Sequence, residues 1–219
     1  MKLKAVVFDF DGTLLNTFEH IVRAFEVVLP KHGVKPDREA IRKIVGMTLM
    51  DCYKNLVPNG DHEAMYRLHH ETQQTPEMYS LIVAYDNLRE TLEKLQDQDL
   101  KIAVLTNRGR KSADLILAYT GIADLFDFVV TADEVDSPKP DPKGLNFIAK
   151  EFSINSSEMV MVGDMPLDVK TGQNARVKAT IVLTHGFGTR AELKSAGADY
   201  ILDSFLELPS VITKLQEKK

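Results

Sequence analysis

The stretch "VVFDFDGTLLNT", residues 6–17, decides the fold. Together with Ala5, its opening residues make a short continuous apolar run to Phe8, as expected for a strand covered on both faces. Asp9 and Asp11 then follow one residue apart, before Gly12 and Thr13 open a turn. Alternation along a strand puts the two acids on one side while Phe10 points into the sheet. Two carboxylates that close cannot both ionise cheaply unless a cation sits between them.

Four more apolar runs follow: "KIAVLT" at 101–106, "FDFVVT" at 126–131, "MVMVG" at 159–163 and "ATIVLT" at 179–184. "DYILD" at 199–203 adds an expected edge strand. Between the runs lie amphipathic stretches of helical length. In "DNLRETLEKLQDQ", 86–98, Asp86 is a candidate cap and Leu88, Leu92 and Leu95 repeat at helical spacing. In "PKGLNFIAKEF", Pro142 suits a first turn, with Leu145, Ile148, Ala149 and Phe152 on one face. Such alternation predicts an α/β chain with a Rossmann-like parallel sheet and helices on both faces. Residues 16 to about 81 break the rhythm, because they read as successive helices separated by Pro, Gly or Asn turns. The expected organisation is an α/β core of residues 1–15 and 82–219 with a helical insert at 16–81.

The composition narrows the function classes. A formal charge of -5 argues against a sequence-independent grip on nucleic acid. "MKLKAVVFDF" reaches its acids too soon for a signal peptide or membrane span, so a cytoplasmic location without membrane partners is the expectation. Cys52, the only cysteine, excludes an intrachain disulfide and a Cys-based zinc site. Oligomeric state is left open, a monomer being one option.

In open parallel sheets ligands bind outside the carboxyl ends of the strands, where this chain carries Asp9, Asp11, Thr106, Asn107, Asp133, Asp164 and His185. "VGDMPLD" supplies Asp164 and Asp168, an oxygen-rich set with Asp9 and Asp11 that suits Mg²⁺. "SPKPD" holds Lys139 between two prolines, where an ammonium can neutralise a phosphate or a carboxylate. Gly12 and Thr13 offer backbone N–H groups for anionic oxygens. Taken singly, each feature reads as a solvated turn or a surface charge. Their joint occurrence at successive strand ends points to a site.

In that order, "FDFDGTLLNT", "LTN", "SPKPDP" and "VGDMPLD" resemble the four motifs of the haloacid dehalogenase superfamily of aspartate-nucleophile phosphotransferases, and the helical insert sits where the superfamily carries a C1-type cap. The resemblance, to phosphoglycolate phosphatases and the related cytosolic pyrophosphatases, implies a Mg²⁺-dependent phosphatase acting on a small phosphorylated metabolite. It makes Asp9 the nucleophile, Asp11 the general acid and base, and Lys139 a catalytic charge compensator. Gly12, Thr106 and Asn107 would hold the phosphoryl oxygens. The Asp9 carboxylate, the Asp11 main-chain carbonyl and Asp164 would bind the metal, with Asp168 orienting a metal-bound water or Lys139.

Two alternatives share the fold. One is a mutase of the β-phosphoglucomutase type. Its relatives carry a cap arginine where "GMTLMD" has Leu49 and a histidine where this chain has Ile21, with His20 one position away. The other is a catalytically silent binding or regulatory protein. Asn16 stands where many relatives have an acid. Arg108 is open between a substrate contact and a surface role. Arg23, Arg42 and Lys43 read as solvated helix charges, and His62, His69 and His70 lack metal partners. His185, Gly186 and Gly188 read as a turn at the pocket rim.

Overall fold

The computed structural model describes residues 2–217. Eight strands carry the framework: β1 Ala5–Phe8, β2 Leu15–Asn16, β3 Val83–Ala84, β4 Lys101–Leu105, β5 Phe128–Val130, β6 Met159–Gly163, β7 Ala179–Leu183 and β8 Tyr200–Leu202. Six of them form one sheet in the order β5-β4-β1-β6-β7-β8, every pairing parallel. All four β1 residues are buried, as the apolar run predicts for a strand covered on both faces. From this central strand the chain builds outward through β4 and β5, then returns to the other side through β6, β7 and β8. The carboxyl ends of β1, β4 and β6 therefore converge beside one crevice.

Eleven α-helices accompany the strands in the described residues. The first five, α1 Phe18–Lys31, α2 Arg38–Ile44, α3 Leu49–Leu56, α4 His62–Gln73 and α5 Pro76–Tyr79, lie between β2 and β3. Asp37, Thr48, Asp61 and Thr75 open α2 to α5, each accepting backbone N–H bonds through its side chain. Their apolar faces form a cluster with Phe25, Ile41, Tyr53 and Met65 at its centre, and Met165 and Phe187 of the α/β layer join it. Cys52 is buried there rather than displayed.

The other helices pack on the sheet: α6 Leu88–Gln96, α7 Arg110–Thr120, α8 Lys143–Glu151, α9 Pro166–Ala175, α10 Arg190–Ser195 and α11 Leu208–Glu217. Two apolar clusters cover the two faces of β1. Val6 and Phe8 join α6 and α11 residues on one face, while Ala5 and Val7 meet α8 on the other. No helix among the described residues is long and apolar enough to cross a membrane.

Two local expectations are corrected. The α6 helix is entered from Asn87 in the left-handed region, without a side-chain cap bond, so Asp86 does not cap it. The two-residue strands β2 and β3 were absent from the sequence reading. They pair antiparallel, Leu15 with Ala84 and Asn16 with Val83, and lay the entry to and exit from the helical layer side by side. Strands this short carry no periodicity of their own, and only their pairing defines them.

Candidate active site

Asp9 continues β1 by one residue, its N–H donating to Val162 of β6 at 2.8 Å. That register aims its carboxylate at the Lys139 ammonium, 2.6 Å away, and Lys139 Nζ is also 2.7 Å from Asp168 Oδ1. The Lys139 side chain is only 1% exposed. Asp168 sits in the first turn of α9, where its Oδ2 accepts from the N–H groups of Asp164 at 3.2 Å and Met165 at 3.0 Å. Asp164, directly after β6, accepts from Thr13 Oγ1 at 2.6 Å through Oδ1 and from Phe187 N at 2.7 Å through Oδ2.

Acid oxygens of Asp9, Asp164 and Asp168 lie within 4.8 Å of one another, and all three residues are buried. Two of these carboxylates, Asp9 and Asp168, share the Lys139 ammonium, and Asp164 has no cation paired with it among the described residues. Burial, followed by the charge of Asp168, pushes Asp9 up to about 7 despite the opposing Lys139. Burial and the charges of Asp168 and Asp9 hold Asp164 well above the usual carboxylate range. Burial works to discharge Lys139, but Asp168 and Asp9 more than offset it and raise its pKa. Such a set is short of positive charge, and its all-oxygen donors fit a hard divalent cation. Asp168 spends both oxygens on Lys139 and backbone N–H groups, Asp164 spends both on Thr13 and Phe187, and Asp9 pairs with Lys139 through Oδ1.

Asp11 is held differently. Arg108 grips it in a fork, Nε to Oδ2 at 3.0 Å and Nη2 to Oδ1 at 2.7 Å, and Thr17 Oγ1 adds a bond at 2.7 Å. Burial alone would raise Asp11, but Arg108 and Thr17 bring it below the ordinary value. With a side chain 8% exposed, Arg108 has no surface role. Only the fold brings together an arginine and an aspartate 97 residues apart, so nothing local in the sequence marks the pair.

Asp9, Asp11, Thr106, Asn107 and Arg108 line a cavity of about 280 Å³ between the sheet and the helical layer. Thr106 Oγ1 accepts from Arg108 N at 3.1 Å, which leaves its hydroxyl hydrogen to donate. The Asn107 amide is already engaged. Its Nδ2 donates to Gly46 O at 2.8 Å and Lys139 O at 3.2 Å, and its Oδ1 accepts from Lys139 N at 2.8 Å. The side chain thus ties the helical layer to the Lys139 loop and is not free for a phosphoryl oxygen.

Gly12 also departs from expectation, because its N–H donates to Leu15 O at 2.8 Å and not into the cavity. Its φ of +82° closes the turn, and a Cβ there would lie 2.4 Å from Asp164 Oδ2. The glycine makes room for Asp164.

A model of the haloacid dehalogenase-like hydrolases matches residues 6–182, a span that contains every one of these acids and Lys139. The chain belongs to the haloacid dehalogenase-like hydrolases. Among curated relatives, the pyrophosphatase PpaX of Halalkalibacterium halodurans is 33% identical, over 97% of this chain and 98% of its own. PpaX of Bacillus mycoides is 31% identical over 98% and 99%. A haloacid dehalogenase-like hydrolase from Bacteroides fragilis superposes with a TM-score of 0.87 at 25% identity, covering 94% of this chain and 100% of that one.

Beyond its acids, this haloacid dehalogenase-like chain braces its site with residues to which the sequence reading gave no role in the site's chemistry. His185 Nε2 lies 3.1 Å from Thr13 O, and its ring stacks on Tyr85 at 3.8 Å, so it supports the turn after β1 from behind. Gly186 packs its backbone against Asp164. Arg42 donates to Phe187 O at 2.7 Å and pairs with Glu192 at 3.2 Å, fastening α2 to the α/β layer instead of standing in solvent. His69 is buried against the Tyr53 hydroxyl at 2.8 Å, not in a metal cluster.

Proposed function

We propose that the protein is a Mg²⁺-dependent phosphatase that hydrolyses a small phosphorylated metabolite through an aspartyl phosphate on Asp9. The carrying observation is the convergence of Asp9 and Asp11 on one cavity, with Lys139 joined to Asp9 and Asp168 beneath it. A binding module has no use for a nucleophile and a second acid at one point. The names of relatives, pyrophosphatase PpaX and a predicted phosphatase from Clostridium acetobutylicum at 26% identity, agree with phosphorus chemistry.

In this reading an Asp9 oxygen attacks phosphorus while the bond to the leaving oxygen breaks, and Asp11 supplies that oxygen's proton. Water then attacks the same phosphorus, Asp11 takes its proton, and Asp9 is freed as phosphate departs. Asp11 must leave the Arg108 fork to reach the leaving oxygen. The Thr106 hydroxyl steadies the phosphoryl group, and Lys139 offsets the charge of Asp9 and Asp168. The Asp9 carboxylate, the Asp11 main-chain carbonyl and Asp164 would hold Mg²⁺, whose charge lets an anionic nucleophile meet an anionic phosphate. Residues 16–81 would act as the cap that closes over the site and limits bulk water.

A mutase needs cap groups that hold a second phosphate, and here Leu49 and Ile21 line the cavity at the relevant positions. A panel of phosphate esters incubated with Mg²⁺ tests the proposal. Free phosphate is expected from wild type and none from Asp9→Asn. Isomerised sugar phosphate without phosphate release would sink the hydrolase reading.

A further inference from the structure

A short piece of chain after β7 connects Asp164 to the helical layer. Asp164 Oδ1 accepts from Thr13 Oγ1 at 2.6 Å and Oδ2 from Phe187 N at 2.7 Å. Each oxygen keeps a second acceptor site for a cation. Gly188 N donates to Asp164 O at 3.2 Å, so residues 187 and 188 grip both the side chain and the main chain of this acid.

The far edge of the same segment is held by the helical layer. The Phe187 carbonyl, which shares a peptide with the Gly188 N–H, accepts from Arg42 Nη1 of α2 at 2.7 Å. The Phe187 ring is buried in the apolar cluster of the helical layer, 5.5 Å from the Phe18 ring. Arg42 is itself fixed in direction. Its Nε and Nη2 form a fork on Glu39, each bond 3.0 Å, while Nη2 and Nη1 meet Glu192 at 3.2 and 3.3 Å. Glu192 in turn is pinned by Thr189 in the capping box of α10. A guanidinium forked on carboxylates holds its remaining donor in place, and hydrogen bonds at both ends of one peptide strengthen each other.

We infer that Arg42 is a positioning residue for Asp164, acting through the Phe187 peptide, so that docking of the helical layer sets the affinity of the site for a divalent cation. The inference rests on the assignment of Asp164 to Mg²⁺ in the proposed function and extends it across the boundary between the layers. Arg42 does not line the cavity above Asp9, so it acts on the ion through the backbone. Its removal has two effects of opposite sign. Loss of a positive charge by itself favours a nearby cation, whereas loss of placement weakens binding by about tenfold, the lower end for residues that orient metal ligands. By linkage, the cation tightens the docking of the helical layer by the same factor.

The test is calorimetric titration of the full-length protein with Mg²⁺ in the absence of substrate, with Tm measured in parallel. Wild type is expected to bind most tightly and Arg42→Gln about tenfold more weakly. Arg42→Lys, which keeps the charge but not the fork, falls between them and carries the comparison alone if Arg42→Gln does not fold. Lys43→Gln removes the same charge one residue along, where the ammonium pairs with Glu39 at 3.8 Å, and should bind as wild type does. A merely structural role would lower Tm and leave the affinity of the folded protein unchanged. Any other order among wild type and the Arg42 variants, or Lys43→Gln weakening with Arg42→Gln, overturns the inference and leaves the metal assignment intact. Binding by Asp164→Asn equal to wild type, or no binding by wild type, overturns both.

Discussion

Gly186→Ala isolates the placement of Asp164 from the rest of the fold. A Cβ at position 186 would lie 2.2 Å from Asp164 Oδ2, 2.3 Å from its Cβ and 2.4 Å from its Cγ, where real contacts essentially never fall under 3.0 Å. The carboxylate would have to retreat by about 0.8 Å, on the order of the 1 Å misplacement that costs about 100-fold in rate. The backbone of Gly12 faces the same oxygen from another segment, and only its lack of a Cβ leaves that oxygen room. Any retreat stretches the bonds that hold the carboxylate, from Thr13 at 2.6 Å and Phe187 at 2.7 Å.

Gly186 is not among the positive-φ glycines, so alanine adds no backbone strain and the clash acts on Asp164 alone. Overpacking of this kind costs about 1–3 kcal/mol, or roughly 2–12 °C in Tm for a chain of this size. Disturbing the surroundings of a metal ligand typically costs about 10–100-fold in affinity. The assay is phosphate release against Mg²⁺ concentration, with Tm measured in parallel. The expected result is half-saturation at about 10–100-fold higher Mg²⁺, kcat/KM down about 100-fold, and a folded protein. Wild-type Mg²⁺ dependence at wild-type rate would refute the assignment of Asp164 to the metal.

Lys139→Met leaves Asp9 and Asp168 buried without their shared cation, and should cost about 3–5 kcal/mol in urea unfolding along with most of the activity; an unchanged midpoint would contradict the buried triad. The folded pKa of Asp9, about 7 against 3.8, means that the metal-free native state binds the extra proton between those values. This group's contribution to stability therefore falls as pH rises from about 4 to about 7. The neutral buried His20 and His69 run the opposite way, so the informative quantity is the Tm difference between wild type and Asp9→Asn. That difference should move against wild type with rising pH and be diminished by Mg²⁺; a flat difference would remove the argument. Arg108→Gln removes the fork on Asp11 and should shift the alkaline limb of the kcat/KM profile to higher pH. A profile superimposable on wild type would show that the fork is not present in the working enzyme.

The strands and the acids at their ends were legible because both are local signals. A buried parallel strand is a continuous apolar run, and a polar residue directly after it falls at the carboxyl edge of the sheet. Strand ends were overestimated by a residue or two: "FDFVVT" at 126–131 contracts to Phe128–Val130. Asn107 shows the opposite failure. The family resemblance implied a phosphate ligand, but its side-chain amide is consumed by Gly46 and Lys139 from distant segments, which no reading of "LTN" could reveal.

By itself the sequence determined the order of the elements, the parallel sheet around residues 5–8 and the presence of Asp9, Asp11, Lys139, Asp164 and Asp168 at loops on one edge. Periodicity and turn chemistry act over a few residues, and that range is enough for those statements. Only the tertiary structure decided the partners. It joined Arg108 to Asp11, pressed Gly12 and Gly186 against Asp164, and lined the cavity with side chains of the helical layer. These are contacts through space between residues far apart in the chain, and their energies depend on burial and distance, which a linear pattern does not contain.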